Sequence, residues 1–436
     1  MQNKMVLNLN DIGPISNAKI DIGKITVIGG KNSTGKSTSS KILYSFLKSN
    51  SSKRGELATD SVVNQIVRLI FNLNDYARNT ARSDEFANRY SSDEIIGFLS
   101  KLDPKSNDFE NQLKVYSEIK EYYSKLDLKP AFKADIDESI DEIDYLIKIV
   151  EENHESLYNS IMKKLLKSEF PNYKFKGNVC LKGSYKETNY DYLINFNNKD
   201  IIDDDSFVTK GWFTLPDVFY LDSFSILDLS QKAGIQNTDH AKNLAKALKP
   251  EADESVEVFD EKINESIIKI EKRVIDLING EFIYDNGVLS FVPKDGAPCL
   301  MRNTASGVKQ IGLIQLLLRN RKLKRNSFLI MDEPEVNLHP EWQLKLAEVL
   351  ILLAKELNIT VYINTHSPMF IEAIEVISEY VGLKDEVNYY LTKDVGNQYS
   401  IDRIDNVDIY KIYDNLAEPY GRINVYRLKT EYENED

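Results

Sequence analysis

The sequence has little cysteine. Only Cys180 and Cys299 occur among 436 residues, and they lie far apart in the chain. This excludes a disulfide framework or a cysteine-rich zinc site, and it is typical of proteins in a reducing cytosol. We therefore expect a cytoplasmic protein.

Long hydrophobic runs are also missing. The longest strongly apolar stretch, 311–318, is interrupted by Gly312 and Gln315, whereas a membrane-spanning helix needs about 20 apolar residues. The first residues contain no apolar segment of the kind that a signal peptide requires. We expect no association with a membrane.

Basic residues are fewer than acidic ones, since 55 Lys and Arg stand against 68 Asp and Glu, which gives a net charge of −13. This balance argues against a broad basic surface for nucleic acid, although a local basic groove remains compatible with it. The length and the 42% hydrophobic content predict an ordinary globular chain of two or three domains.

Short apolar segments separated by turn residues mark the two ends of the chain as α/β. Residues 5–30 predict an antiparallel strand pair followed by a buried strand over 25–28, and a helix is expected over 36–47. The later part predicts a helix over 255–279 and a hairpin over 281–292. The last third predicts alternating helices and strands over 306–319, 327–331, 340–356 and 359–363.

The strongest motif is the stretch 30–37, which fits the phosphate-loop pattern GxxxxGK[ST] between a predicted strand and a predicted helix. Backbone N–H groups of such a loop wrap a phosphate, helped by the helix N-terminus. In this pattern the lysine reaches the β- and γ-phosphates and the serine binds Mg²⁺. The predicted nucleotide-binding residues are Gly30, Lys31, Asn32, Ser33, Thr34, Gly35, Lys36, Ser37 and Thr38.

A second motif supplies two adjacent carboxylates. The apolar stretch 328–331 predicts a buried strand, and Asp332 and Glu333 follow it directly. Asp332 is placed to hold Mg²⁺ together with Ser37, while Glu333 can activate the attacking water. The pair therefore predicts hydrolysis of a nucleotide in addition to binding.

The two motifs lie far apart in the sequence, which leaves room for a large insertion. Small GTPases and hexameric motors are compact between these motifs and become poor candidates. Ser306 and Gly307 open a predicted helix shortly before the carboxylates, and His366 follows the strand after them.

These residues resemble the ABC-type ATPase heads of OLD-like, RecF-like and SMC-like proteins. The resemblance depends on the phosphate loop at 30–38, a divergent signature at 304–310, the carboxylate strand at 328–333, the segment 334–340 and the sequence THSP at 365–368. The phrase DEPEVNLHP followed by NTHSP is similar to the AAA-15 and AAA-21 branch. The fold implied is an α/β P-loop NTPase of ABC-ATPase type, a mixed sheet flanked by helices with antiparallel N-terminal strands and a large, mainly helical insertion.

The resemblance also implies the domain order and the roles of three further residues. An ATPase domain in two parts, 1–54 and 211–425, would be split by an insertion at 55–210 and followed by a charged tail at 426–436. Ser306 and Gly307 of one protomer would close over the ATP held by another, and His366 would contact the γ-phosphate. As an alternative, Ser306 would be no more than a helix N-cap.

The function implied is that of an ATPase that binds ATP and Mg²⁺ in a head-to-head homodimer or higher oligomer. It would control a separate effector such as a nuclease, as in bacterial phage-defence systems. The alternatives are a RecF-like repair or recombination ATPase that binds DNA, a transporter subunit and a scaffold without hydrolysis. The basic residues over 319–325 fit either a helix C-terminus or a DNA-facing strip.

Overall fold

The computed structural model describes several stretches of the chain. These are 4–51, 154–171, 174–185, 188–197, 206–210, 215–222, 238–248, 261–285 and 288–416, with single residues between 114 and 144 and between 423 and 426. Two compact units are present, one made of Met1–Ser51 with Leu165–Asp436 and the other of Ser52–Lys164. Everything below concerns the first unit.

An eleven-stranded mixed sheet forms the centre of this unit, with the order β6-β5-β4-β1-β2-β14-β13-β3-β12-β11-β7. The strands of this sheet are β1 Lys4–Ile12, β2 Ile15–Ile22, β3 Ile25–Gly29, β4 Lys176–Tyr185, β5 Thr188–Asn197, β6 Phe207–Lys210, β7 Val218–Leu221, β11 Phe328–Asp332, β12 Thr360–Thr365, β13 Val387–Asp394 and β14 Tyr399–Ile404. A separate three-stranded antiparallel sheet contains β8 Gly280–Asp285, β9 Val288–Pro293 and β10 Cys299–Leu300.

Helices cover both faces of the large sheet. Those of the first unit are α1 Lys36–Ser49, α3 Asp239–Ala247, α4 Glu261–Ile278, α5 Ser306–Arg319, α6 Pro340–Leu357 and α7 Pro368–Tyr380. A further helix, α2 His154–Glu169, begins in the second unit and ends in the first. Within the described stretches, short 3-10 helices span Met301–Asn303, Lys384–Glu386 and Asn406–Asp408. No helix of the described stretches is long and apolar enough to cross a membrane.

Side-chain alternation along the central strands explains the two helical layers. Val27, Leu329 and Ile363 belong to one large apolar cluster with residues of α4 to α7. The alternate positions Tyr220 and Tyr362 face α1, where their hydroxyl groups contact its serines. Successive residues of a strand point to opposite faces. The central strands are therefore covered by α4 to α7 on one face and by α1 on the other.

The predicted α/β architecture is confirmed, including the antiparallel pair β1 and β2 and the hairpin of β8 and β9. The signature helix occupies 306–319 as expected, whereas the helix predicted from 255 begins at Glu261 in the structure. Residues 249–260 and the tail beyond Tyr426 lie outside the described residues.

One boundary differs from the sequence prediction. The insertion was expected over 55–210, but the second compact unit ends at Lys164. The difference arises because β4 pairs antiparallel with β1, and β5 and β6 then continue the same sheet. Strand pairing of this kind joins segments that are remote in sequence, and no local pattern reveals it.

Five neighbouring strands of the large sheet, β7, β11, β12, β3 and β13, run parallel to one another. Their carboxyl ends therefore meet at one edge. In open α/β sheets this edge is where ligands bind, because loops and helix N-termini converge there. The fold thus brings together the loop after β3, the carboxylates of β11 and the histidine after β12.

Candidate active site

The loop after β3 turns sharply into α1. Ser33 and Gly35 both have positive φ, 63° and 97°, a backbone region that glycine enters without strain. A Cβ atom built on Gly35 would lie 2.5 Å from Cγ1 of Ile15. Glycine is therefore required at position 35 both by the backbone conformation and by the close approach of β2.

The beginning of α1 suits an anion. Gly35 is the N-cap of this helix. Among the described residues, no side chain caps the helix N-terminus, and the first turn contains no acidic residue. The N–H groups of a helix N-terminus attract negative charge, especially where no side chain competes for them. Lys31, Asn32, Ser33 and Ser37 are exposed, whereas Thr34 is buried and donates to the carbonyl oxygen of Lys31. The loop therefore fits the phosphates of a nucleotide.

Lys36 lies across the loop with a side chain only 3% exposed. Its Nζ donates to the carbonyl oxygens of Gly30 and Lys31 at 2.9 and 2.8 Å, and lies 3.9 Å from Oε1 of Glu333. Burial lowers the pKa of Lys36, and the neighbouring carboxylates, Glu333 first, oppose that shift. The ammonium group is thus held where the loop would meet a phosphate.

Asp332 and Glu333 occupy different environments although they are adjacent. Asp332, the last residue of β11, is buried, and its two carboxylate oxygens accept hydrogen bonds from Asn364 and Tyr220. Glu333 has φ 49°, and its N–H donates to the carbonyl oxygen of Asn364. For a non-glycine residue this left-handed conformation costs on the order of 1–3 kcal/mol, and such strain is found mainly at functional sites.

His366 joins this group from the end of β12. Its Nδ1 lies 3.7 Å from Oε1 of Glu333 and 3.3 Å from Oε1 of Glu335. Glu335, a buried residue, also accepts hydrogen bonds from the hydroxyl of Thr365 and the N–H of His366. Burial raises the pKa of Glu335, although these hydrogen bonds act in the opposite direction. Glu335 was not predicted as a site residue, although its place beside the carboxylate motif could have indicated it.

Ser306 and Gly307 lie at the start of α5, next to the segment 334–340. Ala305, not Ser306, is the N-cap, and the Ser306 hydroxyl donates to the carbonyl oxygen of Asn337 at 2.7 Å. A Cβ atom on Gly307 would lie 2.8 Å from the ring of Trp342. The alternative that Ser306 is merely the N-cap is therefore wrong, and Gly307 has a packing role against α6.

The basic residues over 319–325 begin with Arg319, the last residue of α5, whose side chain makes contacts inside the protein. The guanidinium of Arg319 donates to Glu271 of α4 at 2.8 Å and to the carbonyl oxygen of Phe282 at 2.8 Å, and it also pairs with Glu281. Arg319 therefore links α5 to α4 and β8, and its guanidinium is engaged by these contacts within the protein.

His240 is a buried histidine outside the candidate site, and no motif surrounds it in the sequence. It is 2% exposed, and its ring nitrogens lie 2.5 Å from Glu169 and 3.1 Å from Asp222. Burial alone would lower the pKa of His240, but the hydrogen bonds to these carboxylates outweigh it and raise the pKa to about 9. Its partners are remote in sequence, so no local signal marked it.

The sequence of the chain matches a known protein family. A family model described as the AAA ATPase domain matches residues 7–371. The search of curated proteins found no match. The family match includes the phosphate loop, both carboxylates and His366.

Among solved structures, this chain is similar to SMC head domains. The head domain from Thermotoga maritima has 11% identity and a TM-score of 0.39, with 93% of this chain and 100% of that chain covered. An SMC head bound to the C-terminal winged-helix domain of ScpA has 10% identity and a TM-score of 0.41, with 94% and 98% covered. An SMC head with an extended coiled coil, bound to a ScpA domain derived from Pyrococcus furiosus, has 9% identity and a TM-score of 0.36, with 95% and 100% covered.

Proposed function

Because the chain belongs to the AAA ATPase domain family, we propose that it binds ATP with Mg²⁺ and hydrolyses the γ-phosphate in a dimer whose two heads enclose the nucleotide. The two cysteines of the chain are free thiols, which agrees with a cytoplasmic location for this activity.

One observation carries the proposal. Lys36, Glu333 and His366 come from three separate segments of the chain, yet Oε1 of Glu333 lies 3.9 Å from Nζ of Lys36 and 3.7 Å from Nδ1 of His366. A cation, a carboxylate and an imidazole thus surround one point at the end of the parallel strands. Phosphoryl transfer needs groups of these kinds around the phosphate, since catalysis depends mainly on positioning and charge stabilisation.

Each residue has a distinct role in the proposed reaction. Glu333 accepts a proton from the water whose oxygen forms the new bond to the γ-phosphorus, while the bond from that phosphorus to the bridging oxygen of ADP breaks. Lys36 stabilises the negative charge on the phosphate oxygens, and His366 contacts the γ-phosphate. Ser37 and Asp332 would hold Mg²⁺, which neutralises part of the phosphate charge.

A composite site in the dimer would give Ser306 and Gly307 their function. The hydroxyl of Ser306 contacts the 334–340 segment through Asn337, so the start of α5 and this segment form one continuous surface. The N-terminus of α5 attracts anions. We propose that this surface of one protomer closes over the γ-phosphate bound by the partner.

The biological role that we propose is control of a separate effector, such as a nuclease, in defence against phage. Support for this part comes only from the motif resemblance, because site and fold do not specify a pathway. Co-purification with the product of an adjacent nuclease gene, dependent on ATP, is the expected result. An adjacent permease gene would contradict this role.

The activity is tested with Glu333→Gln, which keeps the shape of the side chain and removes the base. We expect wild-type protein to release phosphate from ATP only with Mg²⁺. The variant should bind ATP without releasing phosphate, and should double its mass on size-exclusion chromatography with light scattering. Glu379→Gln, at an exposed carboxylate of α7 paired with Lys384, is the matched control and should behave as wild type.

The double variant Glu333→Gln, Ser306→Arg tests dimer formation independently of nucleotide binding. The arginine would block the composite surface, so ATP should still bind while the mass no longer doubles. Unchanged phosphate release by Glu333→Gln would contradict the catalytic proposal. Mass doubling that survives the arginine would contradict the composite site alone.

A further inference from the structure

Four buried polar side chains form a closed hydrogen-bonded ring directly beneath the site. Nδ2 of Asn364 lies 2.8 Å from Oδ1 of Asp332 and 2.8 Å from Oγ of Ser40. The hydroxyl of Tyr220 lies 2.9 Å from Oγ of Ser40 and 3.1 Å from Oδ2 of Asp332. Asn364, Ser40 and Tyr220 are completely buried, so water does not compete for these hydrogen bonds.

The hydrogen bonds of the ring converge on the carboxylate of Asp332. A carboxylate only accepts hydrogen bonds, whereas the amide nitrogen of Asn364 has two hydrogens to donate. One goes directly to Oδ1 of Asp332 and the other to Ser40. Tyr220 donates its single hydrogen to Oδ2 of Asp332. Each oxygen of the carboxylate is therefore held by its own donor, which fixes the plane of the group.

The ring also reaches the second residue expected to bind the metal. Oγ of Ser40 lies 3.1 Å from the carbonyl oxygen of Ser37, one turn earlier in α1. The Ser40 hydroxyl has a single hydrogen, which it shares between this carbonyl oxygen and the hydroxyl of Tyr220. Ser37 is exposed at the beginning of α1, and Asp332 lies at the end of β11. Side chains of α1, β7 and β12 thus link the Asp332 carboxylate to the backbone of Ser37.

We propose that Tyr220, Ser40 and Asn364 are positioning residues for Mg²⁺, because their hydrogen bonds fix the Asp332 carboxylate and link it to the start of α1, which carries Ser37. This inference rests on the proposed function. Groups that orient metal ligands in this way typically contribute about 10–100-fold to metal affinity. The alternative is that the ring only satisfies buried polar groups and stabilises the fold.

The chain contains a matched control for this distinction. Tyr220 and Tyr362 flank Ile330 on its two neighbouring strands, and both are completely buried. Their hydroxyl groups contact successive serines of α1, Ser40 for Tyr220 and Ser39 for Tyr362. Only Tyr220 also donates to Asp332. Replacing either tyrosine with phenylalanine removes one buried hydroxyl and keeps the shape of the aromatic side chain.

The experiment compares Tyr220→Phe and Tyr362→Phe with the wild-type chain. Mn²⁺ serves as the probe, and electron paramagnetic resonance of free Mn²⁺ measures its affinity in the presence of the non-hydrolysable analogue AMP-PNP. Tyr220→Phe should weaken Mn²⁺ binding about 10-fold, the lower end of the range for such groups, and Tyr362→Phe less than about 2-fold. Affinity for a fluorescent ATP analogue in EDTA should be unchanged in both, because no metal takes part.

Ser40→Ala is the second variant, since it removes the connection to Ser37 and leaves both donors to Asp332. It should also weaken Mn²⁺ binding while thermal unfolding remains cooperative. Equal Mn²⁺ affinity in Tyr220→Phe and wild type overturns the proposal, and so does an equal loss in both phenylalanine variants. If wild-type protein fails to bind AMP-PNP with Mn²⁺, the proposed function itself fails, and the roles assigned to the ring fail with it.

Discussion

The buried imidazole of His240 leads to a quantitative prediction about pH and stability. Its ring is held between Glu169 on Nδ1 and Asp222 on Nε2, with the hydroxyl of Thr238 at 3.2 Å from Nε2. The rings of Tyr220 and Tyr44 pack against it, with centroids 4.7 and 6.0 Å away. Every charged group that faces His240 among these neighbours is a carboxylate, so the folded state favours the protonated ring.

The magnitude follows from the shift in pKa. Hydrogen bonding to the two carboxylates outweighs burial and raises the pKa of His240 from 6.5 to about 9. Since one pKa unit corresponds to about 1.4 kcal/mol, the protonated ring contributes about 3 kcal/mol to the free energy of unfolding. A raised pKa gives stability that is complete below the unfolded value near 6.5 and is lost as the pH rises through about 9.

His240→Gln removes this titration and is measured by urea unfolding, followed by circular dichroism, from pH 6 to pH 9.5. We expect the variant to be less stable than wild type by about 3 kcal/mol at pH 6, with a difference that shrinks as the pH approaches 9.5. His339→Gln, at the exposed N-cap of α6, is the control and should show a small difference independent of pH. A His240→Gln difference that stays constant over this range would refute the reasoning.

Two further predictions concern packing and charge in the core. Lys48→Met removes the ammonium group that lies 3.1 Å from the buried carboxylate of Asp217. Urea unfolding should show that the free energy of unfolding falls by about 3 kcal/mol, because the remaining buried carboxylate has lost its partner. A fall of less than about 1 kcal/mol would contradict this. Gly312→Ala places a Cβ atom 2.0 Å from the ring of Phe282, and the overpacking should lower stability by about 1–3 kcal/mol. Adding Phe282→Leu should recover part of that loss, and a net stabilisation by the alanine would argue against the close contact.

Local sequence patterns were sufficient for most elements around the site. The apolar runs before position 30 and before Asp332 became β3 and β11, and the helix predicted over 306–319 became α5. Buried strands and amphipathic helices leave a periodic signal because each residue has a fixed direction relative to its neighbours. The phosphate-loop residues were likewise identifiable, since the turn requires glycine and lysine at set positions in sequence.

The hydrogen-bond partners of the site residues could not be predicted from local sequence patterns. Asp332 is oriented by Tyr220 and Asn364, and His366 is contacted by Glu335. Hydrogen bonds of this kind depend on which strands become neighbours in the sheet. A tyrosine or an asparagine in an apolar strand looks the same in sequence whether or not its partner is a site carboxylate.

Some features of this protein depend on the sequence alone, and others depend on its tertiary structure. By itself, the sequence determined the net charge of −13, the phosphate loop, the two adjacent carboxylates and the α/β order of the elements, because each depends on composition or on residues close together in the chain. Only the tertiary structure decided that His240 lies buried between two carboxylates and that β4 to β6 continue the large sheet. Both depend on contacts between distant segments, and only the folded chain brings those segments together.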